Sequence, residues 1–325
     1  VHHLEVKRQM GKGDIAAVHE LLEVAEAADG HQPLGEHQWL DLVHGGREGF
    51  AGLVAWEPGH PHPVGYAQVT RGDGPEPTWA LEFVVDPHHR DDGCPIGHDL
   101  VRSALGVVAS EGGGHVHLWV SKPAPDDDAI AQANGLRRGR DLLQMRRPLP
   151  VEGAAVELDT RPFVVGQDED DWLVVNNRAF AWHPEQGGWS RETLARRQAE
   201  PWFDPAGFLL FEVGGRLAGY CWTKVHADHD PPLGEIYVIA TDPDFQGQGL
   251  GRKLVLAGLA HLAAKGVAVG MLYVDASNTA AVGLYESLGF TVDHVDRAYT
   301  IDVTPLAPVA AVAAEVPAPT ARPIR

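Results

Sequence analysis

The stretch Thr241-Asp242-Pro243-Asp244-Phe245-Gln246-Gly247-Gln248-Gly249-Leu250-Gly251-Arg252 decides how the rest of the chain is read. The run from Glu235 to Ile239 before it is apolar and β-branched, and Leu254, Leu256, Leu259 and Leu262 behind it supply the apolar face of a helix. The pattern predicts a strand, a glycine turn and a helix. Without Cβ atoms, Gly247, Gly249 and Gly251 let successive backbone N–H groups approach an anionic ligand at a helix N-terminus. A dinucleotide fingerprint would need an acidic ribose partner about 20 residues further on, and a Walker loop would need its lysine. Neither is in place.

Over the whole chain, 325 residues are ample for two cores, and no run approaches the roughly 18 apolar residues of a membrane helix. No basic-then-apolar signal pattern opens the sequence, so a cytoplasmic protein is expected, with no membrane partner. The formal charge of −19 is shared almost evenly, −10 over residues 1–152 and −9 over 153–325. Such a surface repels phosphate backbones, which argues against a nucleic-acid partner. Cys94 and Cys221 lie in different halves and suggest reduced, packed side chains. His226-x-x-His229 and His115-x-His117 have spacings a metal could use, but no third ligand is evident, and no metal is expected.

The element order is repeated. A strand over 4–9, a helix capped by Asp14, a second helix over Glu36–Val43, three strands (50–56, 64–71, 79–86), a helix near 97–110, a strand at 115–120, a short helix from Asp126 and a closing strand pair ending near Pro148 are expected. After a linker at 151–160 the sequence starts again, with helices at 168–180 and 190–197, a hairpin about Gly214-Gly215, the strand 235–241, the glycine turn, a helix, the strand 270–274, a helix from Asn278 and a last strand pair ending at Val303. Asp86-Pro87 matches Asp242-Pro243, and Asn134-Gly135-Leu136 matches Leu288-Gly289-Phe290. The fold class expected is α/β (α+β), two tandem units over 1–150 and 161–303, each a mixed sheet flanked by helices. The proline- and alanine-rich residues 304–325 are expected to be disordered.

Gln246-x-x-Gly249-x-Gly251 after Asp242-Pro243 resembles the pyrophosphate loop of the Gcn5-related N-acetyltransferases (GNAT), which grip acetyl-coenzyme A. Acetyl transfer to an amine needs a base, an oxyanion donor and an acid for the leaving thiolate. Glu235, at the start of the central strand, is the candidate base, on a face that alternation would share with Tyr237 and Ile239. Tyr285, a phenol with an ordinary pKa of about 10, is the candidate acid. Aligned on its Asp-Pro, the first half has Trp79 and Ala131 at these positions, and alternation sends Glu82 to the opposite face. Its loop places Asp91 and Asp92 where a pyrophosphate would lie, and Pro95 lacks a donor. The first half is therefore expected to be degenerate and non-catalytic, with weak or absent cofactor binding.

A denser resemblance, to the mycothiol synthase family, is carried by Asn176 through Trp189, Trp202-Phe203-Asp204-Pro205, Trp222 through His226, Gly234 through Val238, Leu272 through Asp275 and Tyr285 through Phe290. It implies transfer of acetyl from acetyl-CoA to the cysteinyl amine of 1D-myo-inositol 2-(L-cysteinylamino)-2-deoxy-α-D-glucopyranoside, a pseudo-disaccharide. Another small amine, such as an aminoglycoside or polyamine, is the alternative acceptor. It implies Glu235 as base and Tyr285 as acid; Glu36, Glu185, Lys224 and Tyr273 on the acceptor; and Ile239, Ala240, Thr241, Gln246, Gly247, Gln248, Gly249, Leu250, Gly251, Arg252, Asn278, Thr279, Ala280, Ala281, Val282 and Gly283 on acetyl-CoA. Trp182, Trp189 and Trp222 could offer flat faces to sugar rings or be core. A monomer is expected.

Overall fold

A computed structural model of the chain describes residues 2–72, 76–90, 95–153, 158–182 and 187–306. In the first half the elements are β1 (His3–Lys7), α1 (Lys12–Asp29), α2 (Glu36–Val43), β2 (Phe50–Trp56), β3 (Gly65–Arg71), β4 (Thr78–Val85), α3 (Pro95–Ser110), β5 (Gly114–Ser121), α4 (Pro125–Ala133) and β6 (Arg137–Pro148). In the second they are β7 (Arg161–Pro162), α5 (Glu169–Ala179), α6 (Arg191–Gln198), β8 (Phe208–Val213), β9 (Arg216–His226), β10 (Leu233–Thr241), α7 (Leu250–Ala264), β11 (Val269–Asp275), α8 (Thr279–Ser287) and β12 (Thr291–Val303). The helical period of Val18, Leu21, Leu22 and Ala25 puts one face of α1 in the core. Asp14 lies inside this helix, two residues after its start, and caps it by accepting the Gly11 N–H at 3.0 Å.

The twelve strands among the described residues form one sheet, in the order β1-β2-β3-β4-β5-β12-β6-β11-β10-β9-β8-β7. This order corrects the expectation that each half closes with its own strand pair. Residues 137–148 and 291–303 are each one long strand, and the halves exchange them. β12 pairs antiparallel with β5 of the first half, β6 pairs antiparallel with β11 of the second, and β6 and β12 pair with each other at the centre. The cores follow the strands: Tyr299 of β12 packs in the first half's cluster, and Met145 of β6 in the second half's. Alternating apolar residues specify a strand but not its partner.

Helices cover both faces. On one face of the second half α7 and α8 pack on Cys221, Ile236, Leu272 and Val274. On the other, α5 and α6 cover an aromatic cluster of Phe163, Trp172, Trp189, Phe208, Tyr220 and Trp222. Trp222 stacks on Phe208 at 4.3 Å and has no exposed surface. Trp222 and Trp189 are thus core rather than sugar platforms, whereas Trp182 is 65% exposed. Trp222→Ala is expected to destabilise the fold by about 3–5 kcal/mol, the cost of emptying a large buried aromatic site, read as a lowered urea midpoint. Among the described residues, no helix is long and apolar enough to cross a membrane.

Candidate active site

β10 and β11 run parallel and are paired only from Leu233 to Glu235, against Val269 to Met271. Beyond Glu235 the strands diverge. Among the described residues the sheet neighbour of β10 beyond that point is β9 alone, so its backbone on the β11 side is left to meet something else. The β9–β10 register also shifts between Ile236 and Val238, a bulge at Tyr237. Because of the bulge, Tyr237 and Val238 both join the aromatic cluster, while Ile239 packs on the α7 side. Simple alternation therefore fails at this point. Glu235 and Tyr237 share a face as expected, but Ile239 does not.

Glu235 is 7% exposed, with its Oε2 2.7 Å from His226 Nε2. Its register partner on β9 is Lys224, which lies on the same face two residues before His226. Tyr273 stands two residues beyond Met271, the β11 partner of Glu235, and is 40% exposed. Its hydroxyl accepts from Gln144 Nε2 at 2.8 Å, so the exchanged strand β6 reaches the site.

The first half also enters through α2. Glu36 Oε1 accepts from Lys224 Nζ at 2.7 Å and Oε2 from the Tyr237 hydroxyl at 2.6 Å. Arg197 Nε in turn donates to the Tyr237 oxygen at 2.9 Å, and its guanidinium lies over the Trp189 ring at 4.1 Å. Burial alone would raise the Glu36 carboxyl, but the Lys224 charge, the bonds from Lys224 and Tyr237 and the Arg197 charge outweigh it and leave it lowered. Burial, with Glu36 beside it, raises the Tyr237 phenol, which therefore stays a hydrogen-bond donor at neutral pH. Gln32 Nε2 adds a bond to Asp228 Oδ2 at 3.2 Å.

Tyr285 lies on the opposite face, in the cluster with Cys221 and Phe290. Burial pushes its phenol up to about 12. The glycine loop opens α7. Asp242 caps the turn by accepting the Asp244 N–H at 2.9 Å and is held by Arg178 Nη1 at 2.8 Å. Gly249, at φ 71°, is the N-cap of α7, a conformation that favours glycine. A Cβ at Gly247, Gly249 or Gly251 would meet nothing within 4 Å, so the space before the loop is open. Gln246, Gly247, Gln248 and Gly249 are exposed, Leu250 is buried, and Arg252 Nη1 donates to Ser287 Oγ at 3.0 Å, tying α7 to α8. Asn278 caps α8 through the Ala281 N–H at 3.2 Å; Thr279, Ala280 and Gly283 are exposed, and Ala281 and Val282 half-buried. Ile239 and Thr241 are half-buried and Ala240 buried.

The structure thus brings together Glu36, Lys224, Glu235 and Tyr273. Glu185 lies outside the described residues, as do Asp91, Asp92 and Cys94. Arg197 and Gln144 are site residues the sequence does not single out, and His226 stands out there only through its metal-compatible spacing from His229. The signal for His226 as a partner of Glu235 is its two-residue spacing from Lys224 on one strand. Asp228 supplies the third group, missing from the sequence reading, beside His226 and His229, with donor atoms within 4.8 Å of one another.

The Acetyltransferase (GNAT) family model matches residues 175–290. A mycothiol acetyltransferase of Thermobispora bispora is 47% identical over 88% of this chain and 96% of its own length. One from Acidimicrobium ferrooxidans is 45% identical over 85% and 90%. The chain belongs to the mycothiol acetyltransferase family. Family membership makes it an acetyl-transferring enzyme. The fold is similar to a tandem GNAT protein from the clavulanic acid biosynthesis pathway (TM-score 0.67, 19% identity, covering 94% of this chain and 100% of that one). It is also similar to a GCN5-related N-acetyltransferase from Sphaerobacter thermophilus (TM-score 0.65, 21% identity, 93% and 96%).

Proposed function

We propose that this enzyme acetylates the cysteinyl amine of 1D-myo-inositol 2-(L-cysteinylamino)-2-deoxy-α-D-glucopyranoside, using acetyl-CoA, to give mycothiol. The observation that carries the mechanism is Glu235, a buried carboxylate bonded to His226 where β10 and β11 part. The glycine loop fits a pyrophosphate: its front is open, and the first turn of α7 presents unsatisfied N–H groups. Ile239 to Thr241, Gln246 to Arg252 and Asn278 to Gly283 are the proposed contacts. The bound thioester supplies the activated acetyl group.

Glu235 takes a proton from the acceptor ammonium, directly or through water, and leaves the nitrogen lone pair able to attack. His226 holds the carboxylate in place. The carboxylate of Glu36, lowered and paired with Lys224, and the exposed Tyr273 form a polar wall suited to a hydroxyl-rich acceptor carrying one positive charge. Glu185 is proposed to join them. Tyr285 gives its phenolic proton to the departing sulfur. With its pKa pushed up to about 12, Tyr285 remains protonated well above the ordinary phenol value of about 10. Activity is accordingly expected to show no loss from Tyr285 ionisation at pH 10, and Tyr285→Phe to lower kcat about 10- to 100-fold without moving the acidic limb of the pH–rate profile.

In the first half, Trp79 and Ala131, at the positions of Glu235 and Tyr285, are buried, and Pro95 is the first residue of α3. We propose that residues 1–150 bind no second acetyl-CoA tightly. Calorimetry is expected to give one equivalent per chain, and two comparable sites would refute this. Lys224→Ala is expected to raise the KM for the acceptor about tenfold or more while leaving that for acetyl-CoA nearly unchanged, because the salt bridge lies on the acceptor side.

The test of the whole reading is thiol release from acetyl-CoA with the cysteinyl-glucosaminyl-inositol acceptor, beside cysteine, glucosaminyl-inositol and spermidine. Selective turnover of the full acceptor is expected. Turnover of another amine alone would leave the acetyl transfer and discard the acceptor.

A further inference from the structure

Asp86, at the end of β4, stands where the second half has Asp242, but in different company. Asp242 Oδ2 is held by the Arg178 guanidinium. Asp86 is 1% exposed, and its Oδ1 accepts from the His88 N–H at 2.8 Å and lies 3.1 Å from His88 Nδ1. Its Oδ2 is buried with no hydrogen bond among the described residues. The groups facing it are imidazoles from the loop between β2 and β3, with His60 Nε2 at 3.9 Å and His62 Nε2 at 3.6 Å. His89 Nδ1 lies 3.5 Å from Oδ1.

The outer bonds of these rings set their tautomers. His60 Nδ1 is 2.9 Å from the His62 carbonyl, and His62 Nδ1 is 3.0 Å from the Pro63 carbonyl. A carbonyl only accepts, so each Nδ1 carries the hydrogen. His89 Nε2 is 2.9 Å from Glu57 Oε2, which makes Nε2 the donor there. In a neutral imidazole the other nitrogen then holds a lone pair. In all three rings that nitrogen is the one directed at Asp86. Lone pairs on three nitrogens therefore converge on a buried, negatively charged carboxylate.

Either protons or a cation must resolve this arrangement. The separations of 3.5–3.9 Å are too long for good hydrogen bonds. They are close to the spacing of about 3.3–3.5 Å between neighbouring ligands that bonds of about 2.0–2.1 Å give around a tetrahedral ion. The donor atoms of His60, Asp86 and His89 all lie within 4.8 Å of one another. A carboxylate and two carbonyls on the far nitrogens are the outer partners that orient metal-bound histidines.

We propose that His60, Asp86 and His89 bind one divalent transition-metal ion of the zinc type, joining the β2–β3 loop to the end of β4. Two imidazoles and one carboxylate suit Zn²⁺, Co²⁺ or Ni²⁺ rather than Mg²⁺ or Ca²⁺, which prefer all-oxygen shells. Three protein ligands leave the fourth tetrahedral position to a further donor such as water, and His62 Nε2 stands 3.6 Å from Asp86 Oδ2 beside the set. The site belongs to the first half and is separate from the Glu235 site.

The test uses the full chain, stripped with a chelator, titrated with Zn²⁺ by calorimetry and with Co²⁺ by visible absorption. One tight equivalent is expected, with the d–d absorption of four-coordinate Co²⁺. The loop variant His60→Gln/His62→Gln, its fold checked by circular dichroism, is expected to weaken binding at least about 100-fold, and Asp86→Asn likewise. His229→Gln, in the second cluster, is expected to leave the tight equivalent intact. No tight equivalent, binding unchanged in the loop variant, or binding lost in His229→Gln instead would each overturn the proposal.

Discussion

Replacing Glu235 with Gln is expected to lower kcat about 10²- to 10⁴-fold, the range that a positioned general base contributes. Glutamine keeps the size of the side chain and can still accept a hydrogen bond from His226, whose Nε2 lies 2.7 Å from the carboxylate. What it loses is the ability to hold a proton. The substitution lies on the acceptor face and leaves untouched the loop over 246–252, so affinity for acetyl-CoA is expected to change less than about threefold, within the small effects seen away from a contact. Steady-state thiol release and calorimetry on the same preparation separate the two quantities. Retained kcat would remove Glu235 from the mechanism and point to a substrate amine already neutral when it binds.

Residues 161–303, expressed alone, are expected not to fold cooperatively, because of the strand exchange. Loss of β6 strips β11 of its antiparallel partner over Val269 to Asp275 and removes Met145 from the second half's core. β12 loses β5 along Asp296 to Val303 as well, which leaves Tyr299 without the cluster it packs in. Such losses fall on a net stability of only about 5–15 kcal/mol that holds a domain folded. Circular dichroism and the absence of a cooperative thermal transition check the outcome, and co-expression with residues 1–150 is expected to restore a folded complex. A folded, active 161–303 would show that the exchanged strands are dispensable.

The separability of the two halves is where reading the sequence and reading the structure part most sharply. The repeat, the linker after Pro150 and the matching Asp-Pro turns all suggest two self-contained units, and locally that reading is sound. Strand partnership, however, depends on which apolar faces meet in space, and Arg137–Pro148 alternates no differently for having its neighbours in the other half. The bulge at Tyr237 has the same origin, since a one-residue register shift leaves no mark in the periodicity of a single strand.

Legible in the residues alone were the glycine turn, the doubled element order, Glu235 and Tyr285 as the proposed base and acid, and Trp79 and Ala131 in their places in the first half. These rest on short-range properties: backbone freedom at glycine, helical and strand periods, and residue types at fixed spacing. It took the folded chain to reveal that β6 and β12 change places, that Glu36 bonds Lys224 and Tyr237 across the halves, that Trp189 and Trp222 are core, and that three histidines from two separate segments converge on Asp86. Each of these depends on groups far apart along the chain, whose meeting is set by packing, and packing has no period to read.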